Sequence, residues 1–435
     1  MGEVPMARTI LISVLAVGFA VTGFYLGRLS APAPRFVSQA GDDLAAAFEE
    51  FQRGQKETLA LMQQHPLFAD PQMQAEAYRG VLYATVGSIR TVALMDHAYP
   101  RFMRSVDWSA KSGLDNPDNN YYFSLIRDDE DYIVRGNRGT SRNLIFQLVV
   151  GQPGVREAGS STNVSVLDAR DMKIGEDGTF EILVSRQNPG DGRNWLANGE
   201  GAETLMVRMT FSDWQVEHKG FLTIEKLNGE GLTKPPLTAE EMAHRMREIA
   251  IHMYDRTSSW LQLSERGWLA SPRNGLAKPS PSIGGLVGQW WSFGTWELED
   301  DEAMIIHSHK SNASYQGIEL GNRWFVSLDY ETRTSSMTLD QAEASGDGSY
   351  YFVVSTRDPG VHNWLDTESH KTGLIMMRWQ GLEGELPESQ EPSAWKVPLT
   401  DLDQHLPADA RYISLEERRV QIAARRMAVQ RRDAG

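Results

Sequence analysis

The chain contains no cysteine among its 435 residues. That removes disulfides, Cys-ligated zinc, iron–sulfur clusters and a thiol nucleophile, and leaves the compartment open. A surplus of positive charge is also missing. The formal net charge is −15, which argues against nucleic acid as a partner, because phosphate binding needs a concentrated basic surface. No glycine-rich phosphate loop follows a strand and opens a helix. The stretch GEGLTK at Gly229 to Lys234 is too short and runs into a proline pair. There is no Gly-x-Ser-x-Gly nucleophile elbow, and the N-terminal helical segments sustain no heptad. None of these features calls for a cofactor.

What is present is ordinary globular composition, 41% apolar and 23% charged, in a length suited to two or three domains. Thr9 to Gly27 is an uncharged run, close to the roughly 20 residues a membrane-spanning helix needs. The best small-x-small cleavage site, Ala31-Pro32-Ala33, is followed by Pro34, so the run reads as an uncleaved membrane anchor rather than a signal peptide. Arg8 precedes it and Arg28 and Arg35 follow, so counting basic residues does not orient it. A short N-terminal anchor with a large body favours a periplasmic, extracytoplasmic location. Gly23 and Gly27 have the spacing that lets helices approach, as in a homo-oligomer.

Pattern divides the remainder. Residues 1–35 are the anchor, 36–105 a helical region, 106–236 a first β-sandwich, 237–285 a helical insert and linker, 286–400 a second β-sandwich, and 401–435 a charged C-terminal helix. Leu44, Phe48, Phe51 and Leu59 fall near one helical face, and Pro71 opens a second helix. Thr238 stands three residues before Glu241, a capping-box signature. Short β-branched and aromatic runs such as TFEILVSR, separated by Asp-Gly and Pro-Gly turns, predict strands.

The two strand regions are copies of one another. Asp177-Gly178 matches Asp347-Gly348, Pro189-Gly190 matches Pro359-Gly360, Asn194-Trp195-Leu196 matches Asn363-Trp364-Leu365, and Arg208 matches Arg378. Features in both copies serve the fold: Trp195 and Trp364 are expected to cap the sandwich cores. Features in one copy are freer to serve function. The second copy alone carries His362, Asp366 and His370, with His307 and His309 on an earlier strand.

The stretches LDNPDNNYY, YIVRGNRGT, DGTFEILVS, SDW and DPGVHNWLDTESH together resemble a bacterial family catalogued as domain of unknown function twelve-fourteen. The resemblance covers most of the chain outside anchor and tail, and implies jelly-roll-like β-sandwiches, sometimes in tandem. It lends no activity. In that family a Gly precedes the His of the second-copy motif. Here Ser369 replaces it, which bears on the loop's backbone shape because Gly supplies a positive φ.

Two function classes follow. The first is a ligand-binding or assembly protein, holding a glycan or bulky apolar molecule between the sandwiches or at the Trp364 loop through His362, Asn363 and Trp364. The second is a hydrolase- or lyase-type enzyme. In it Asp366 orients His370 as general base and Arg378 holds an anionic or carbonyl group. His307 and His309, two apart on a strand, are the alternative metal ligands, with Glu319 and His362 or His370 as possible completions. The tail places Arg418, Arg425 and Arg432 on one helical stripe, able to touch anionic lipid or the acidic body of the protein itself, against a solvated, frayed terminus.

Overall fold

The computed structural model describes residues 32–39, 43–151, 162–282 and 286–433. The Thr9–Gly27 run lies outside them. Among the described residues no helix is long and apolar enough to cross a membrane.

Helix α1 (Leu44–Gln63) starts where the Asp43 carboxylate accepts from the Ala46 N–H at 3.1 Å. Helix α2 (Pro71–Ser88) starts at Asp70, whose Oδ1 accepts from the Gln72 and Met73 N–H groups, with Pro71 at the first position. Such caps satisfy donors that have no partner inside the helix.

The first β unit holds β1 (Asn119–Leu125), β2 (Tyr132–Asn137), β3 (Asn143–Val150), β4 (Asn163–Asp168), β5 (Thr179–Ser185), β6 (Asn194–Ala197), β7 (Ala202–Thr210) and β8 (Phe221–Lys226). They form two sheets, ordered β1-β7-β3-β4 and β6-β5-β2-β8. Val134, Phe146, Ile182 and Val207, drawn from both sheets, meet in one core.

Helix α3 (Ala239–Ala270) follows, longer than the sequence pattern suggested. Thr238 caps it through Glu241 N–H at 3.1 Å, but the capping box closes on one side only, because the Glu241 carboxylate turns to Arg245. α3 packs on both α1 and α2. The close crossing with α1 depends on Gly54, where a Cβ would sit 2.7 Å from that of Ala250. The N-terminal helical region and the insert are therefore one helical layer.

The second unit holds β9 (Gly275–Leu276), β10 (Ser280–Pro281), β11 (Gln289–Glu297), β12 (Glu302–His309), β13 (Tyr315–Asn322), β14 (Val326–Ser327), β15 (Ser336–Thr338), β16 (Ser349–Ser355), β17 (Trp364–Asp366), β18 (Thr372–Gln380) and β19 (Ser393–Pro398). The stretch read as a linker is partly strand, since β9 and β10 both pair with β11. The sheet orders β11-β18-β13 and β17-β16-β12-β19 reproduce β1-β7-β3 and β6-β5-β2-β8, down to the parallel pairs β5/β6 and β16/β17. The protein is mainly β, with 19 strands in four sheets among the described residues.

After a short α4 (Leu402–His405), α5 (Leu415–Asp433) runs back over both units. The Arg418, Arg425 and Arg432 stripe is buried, not presented to lipid or solvent. The Arg418 guanidinium forks onto Asp358 at 2.9 and 3.1 Å. Arg425 donates to the Tyr330 carbonyl and Ser336 hydroxyl, and Arg432 to the Pro117 carbonyl at 2.6 Å.

Candidate functional site

The repeated loop is structural in both copies. The Asn194 amide donates to the Lys173 and Glu181 carbonyls and accepts from Lys173 N–H. The Asn363 amide does the same with the Glu343 and Tyr351 carbonyls and Glu343 N–H. The Trp195 and Trp364 indoles donate to the carbonyls of Ser185 and Ser355, at 3.1 and 3.2 Å. Neither Trp caps a sandwich core, contrary to expectation. Alternation along the strand turns Leu196 and Leu365 inward and leaves each Trp on the outer face.

The second-copy residues are likewise engaged. Trp364 lies beneath the Arg418 guanidinium, 5.2 Å away. His362 bonds Asn363 and lies within 3.4 Å of the Gln421 amide. The adjoining cavity of about 20 Å³ is close to the size of a single water.

Asp366, His370 and Arg378 do not converge. Asp366 pairs with Arg333 at 2.8 Å and accepts from Glu368 N–H at 2.8 Å, capping a turn. In that turn Glu368 and Ser369 take φ of 56° and 65°, so Ser369 adopts the left-handed backbone expected of a glycine. His370 Nε2 bonds Glu76 Oε1 of α2 at 3.0 Å. Arg378 pairs with Glu319 and donates to the Leu114 carbonyl at 2.8 Å. No hydrogen bond joins Asp366 to His370, so the orienter–base pair is not formed. β12 is an inner strand of its sheet, and its His307 and His309 rings meet edge to face with centroids 4.6 Å apart. Among the described residues no three metal-ligating side chains cluster, and Glu319 is spent on Arg378.

A concavity lies between the two units. Its volume is about 160 Å³, roughly ten times the space that one water requires. One wall is the outer face of β1-β7-β3, the other the outer face of β11 and β18, and α3 closes a side. Register makes the walls equivalent. Tyr121 stands opposite Arg208 as Trp291 stands opposite Arg378, and Gln147 opposite Met206 as Glu319 opposite Met376. Equivalent residues also meet across the interface, the Thr210 hydroxyl donating to Gln380 at 3.0 Å, as in an isologous contact. The LDNPDNNYY stretch knits the units together: the Tyr315 hydroxyl donates to Asp118 at 2.6 Å, and Asn116 donates to that hydroxyl at 3.1 Å.

Charge sets the cleft's character. Burial pushes the Glu319 carboxyl well above the usual range, against the pull of Arg378. Burial likewise raises the Asp115 carboxyl and lowers the Lys111 ammonium beside it. The Arg256 guanidinium, on α3, is pushed down to about 10 by burial, with Asp115 opposing. Burial also lowers Arg208. Sequence reading placed Arg378 at a site but missed Arg208, Gln147 and Arg256. Carrying the repeat alignment on to NLIFQLVV and YQGIELGN would have set Gln147 against Glu319. Arg256 has no counterpart in the repeat and left no such signal.

No family model and no curated protein matches the chain. Among solved structures, an uncharacterised protein from Burkholderia cenocepacia is similar, with a TM-score of 0.74 and 26% identity, covering 82% of this chain and 98% of that one. The VPA0106 protein from Vibrio parahaemolyticus aligns at a TM-score of 0.40 and 11% identity, over 73% of this chain and 98% of its own. The Burkholderia protein's fold therefore extends over both sandwiches of this chain.

Proposed function

We propose that this protein binds a small molecule in the cleft between its two jelly-roll-like sandwiches, held at a membrane by the Thr9–Gly27 run. The observation that supports this is the cleft itself. It is a concavity at the junction of two units, lined by Tyr121, Trp260 and Trp291 with a few converging polar groups, the usual make-up of a ligand site. The Trp364 loop is the poorer candidate because α5 covers it. Nothing in the geometry favours the enzyme reading, since Asp366 and His370 are spent on separate structural bonds.

A thermal-shift screen of sugars, aromatic acids and apolar molecules tests the binding reading. Members that raise the Tm of the parent should lose most of that gain in Trp291→Ala. A stabilising ligand whose effect is untouched in Trp291→Ala would place binding elsewhere. Retention in the membrane fraction through carbonate washing checks the anchor, and release of a chain beginning near Pro34 would refute it.

A further inference from the structure

The two walls of the cleft are copies, yet they differ in the partner given to their shared arginine. On the second wall Arg378 is matched by Glu319. On the first, the equivalent arginine, Arg208, meets the amide of Gln147 at 2.6 Å. The same register position carries an acidic side chain in one copy and an amide in the other, so among the described residues Arg208 has no acidic partner there. Arg256 lies on the same cleft and, among the described residues, makes no hydrogen bond or ion pair; its Nε is buried without an acceptor. One helical turn further on, the Trp260 indole N–H is also buried without an acceptor. Residues four apart share a helix face, so both donors look the same way. Buried donors left unmatched are destabilising, and a native fold that keeps several on one surface calls for an explanation.

Resting on the binding reading above, we propose that the cleft recognises an oxyanion, a carboxylate or phosphate carried on a flat ring. Arg208, Arg256 and the Trp260 N–H are its donors. The competing carboxylates are already committed. Glu319 is held by Arg378, and Asp115 accepts from the Ser327 hydroxyl at 3.0 Å with Lys111 close by. A guanidinium fork matches the paired oxygens of a carboxylate or phosphate. Tyr121 and Trp291 offer ring faces for the body of the ligand, and the Asn119 side-chain Oδ1, itself without a donor among the described residues, suits a ligand hydroxyl.

The test uses three probes of similar size: benzoate, phenyl phosphate and neutral benzyl alcohol, each titrated while Tm is followed. At least one of the two anions should raise Tm saturably, and benzyl alcohol should not. The order of the two anions distinguishes a carboxylate from a phosphate carrier. Arg256→Gln and Gln147→Glu should each weaken the apparent affinity at least tenfold. Gln147→Glu recreates the pair that Glu319 makes with Arg378 and so should fold normally. Without ligand, Arg256→Gln should melt no lower than the parent, because it removes a buried cation that only the nearby Asp115 offsets. Anion stabilisation that survives both substitutions, or the failure of both anions to stabilise, overturns the proposal. If benzyl alcohol stabilises instead and loses its effect in Trp291→Ala, the oxyanion assignment falls while the binding reading stands.

Discussion

At the scale of single residues, His252 shows how burial sets an acid limit on the molecule. Its ring lies between α3 and α2, with Nδ1 bonded to the Ser88 hydroxyl at 2.8 Å and Nε2 buried without a partner. Burial, with repulsion from Arg256 added, lowers its pKa from 6.5 to about 3. A histidine held neutral in the fold binds fewer protons there than in the unfolded chain. Its contribution is intact above the unfolded value of 6.5. It is lost as pH falls below that, at about 1.4 kcal/mol per pH unit, and levels off only near the folded value. Urea unfolding at pH 7, 6 and 5 should therefore show a steeper loss of stability in the parent than in His252→Asn. Parallel slopes for the two proteins would mean that acid acts through other groups.

At the scale of elements, the duplicated Pro-Gly…Asn-Trp-Leu loops carry the same bonds but different surroundings. Trp195 is half-buried, whereas Trp364 is 7% exposed because α5 lays Arg418 over it. Trp364→Ala should cost about 3–5 kcal/mol, the usual range for a large buried aromatic. Trp195→Ala should cost about 1–2 kcal/mol, since less of it leaves water on folding. Equal losses in denaturant midpoints would show that α5 adds nothing to the second loop. The duplication, the strands and the turn glycines were legible in the sequence because period-2 alternation and Asp-Gly or Pro-Gly turns are local signals. Gly178 and Gly348 both take φ of 82°, as such turns require. The partners of His370 and Arg378 were not legible. Glu76 lies 294 positions before His370, and nothing local in either segment reports the other. Alternation also says which residues share a face without saying which face is inward, so Trp195 and Trp364 were expected at the cores that Leu196 and Leu365 enter instead.

At the scale of the whole molecule, the last helix completes the first half of the fold. Ala428 and Val429 of α5 enter the core of the first sandwich, together with Tyr330 from the second. Asp433 pairs with Arg104 at 2.6 Å, and the Arg431 guanidinium donates to the Trp214 carbonyl at 2.6 Å. Arg425 and Arg432 lie over the Trp214 ring, 4.4 and 4.6 Å from its centroid. At its other end the same helix clamps the second-copy loop through Arg418 and Asp358. One segment therefore couples both sandwiches. The direct bonds between the units, such as Tyr315 to Asp118 and Thr210 to Gln380, remain when α5 is removed, but the walls of the cleft lose their common brace. Ending the chain after Ile413 should lower Tm and replace one cooperative unfolding transition by two, because the sandwiches then lose stability unequally. Scanning calorimetry checks this directly. A truncated chain that still melts in a single transition at the parent temperature would show that the inter-unit bonds alone hold the molecule together, leaving α5 as cover for Trp364 and nothing more.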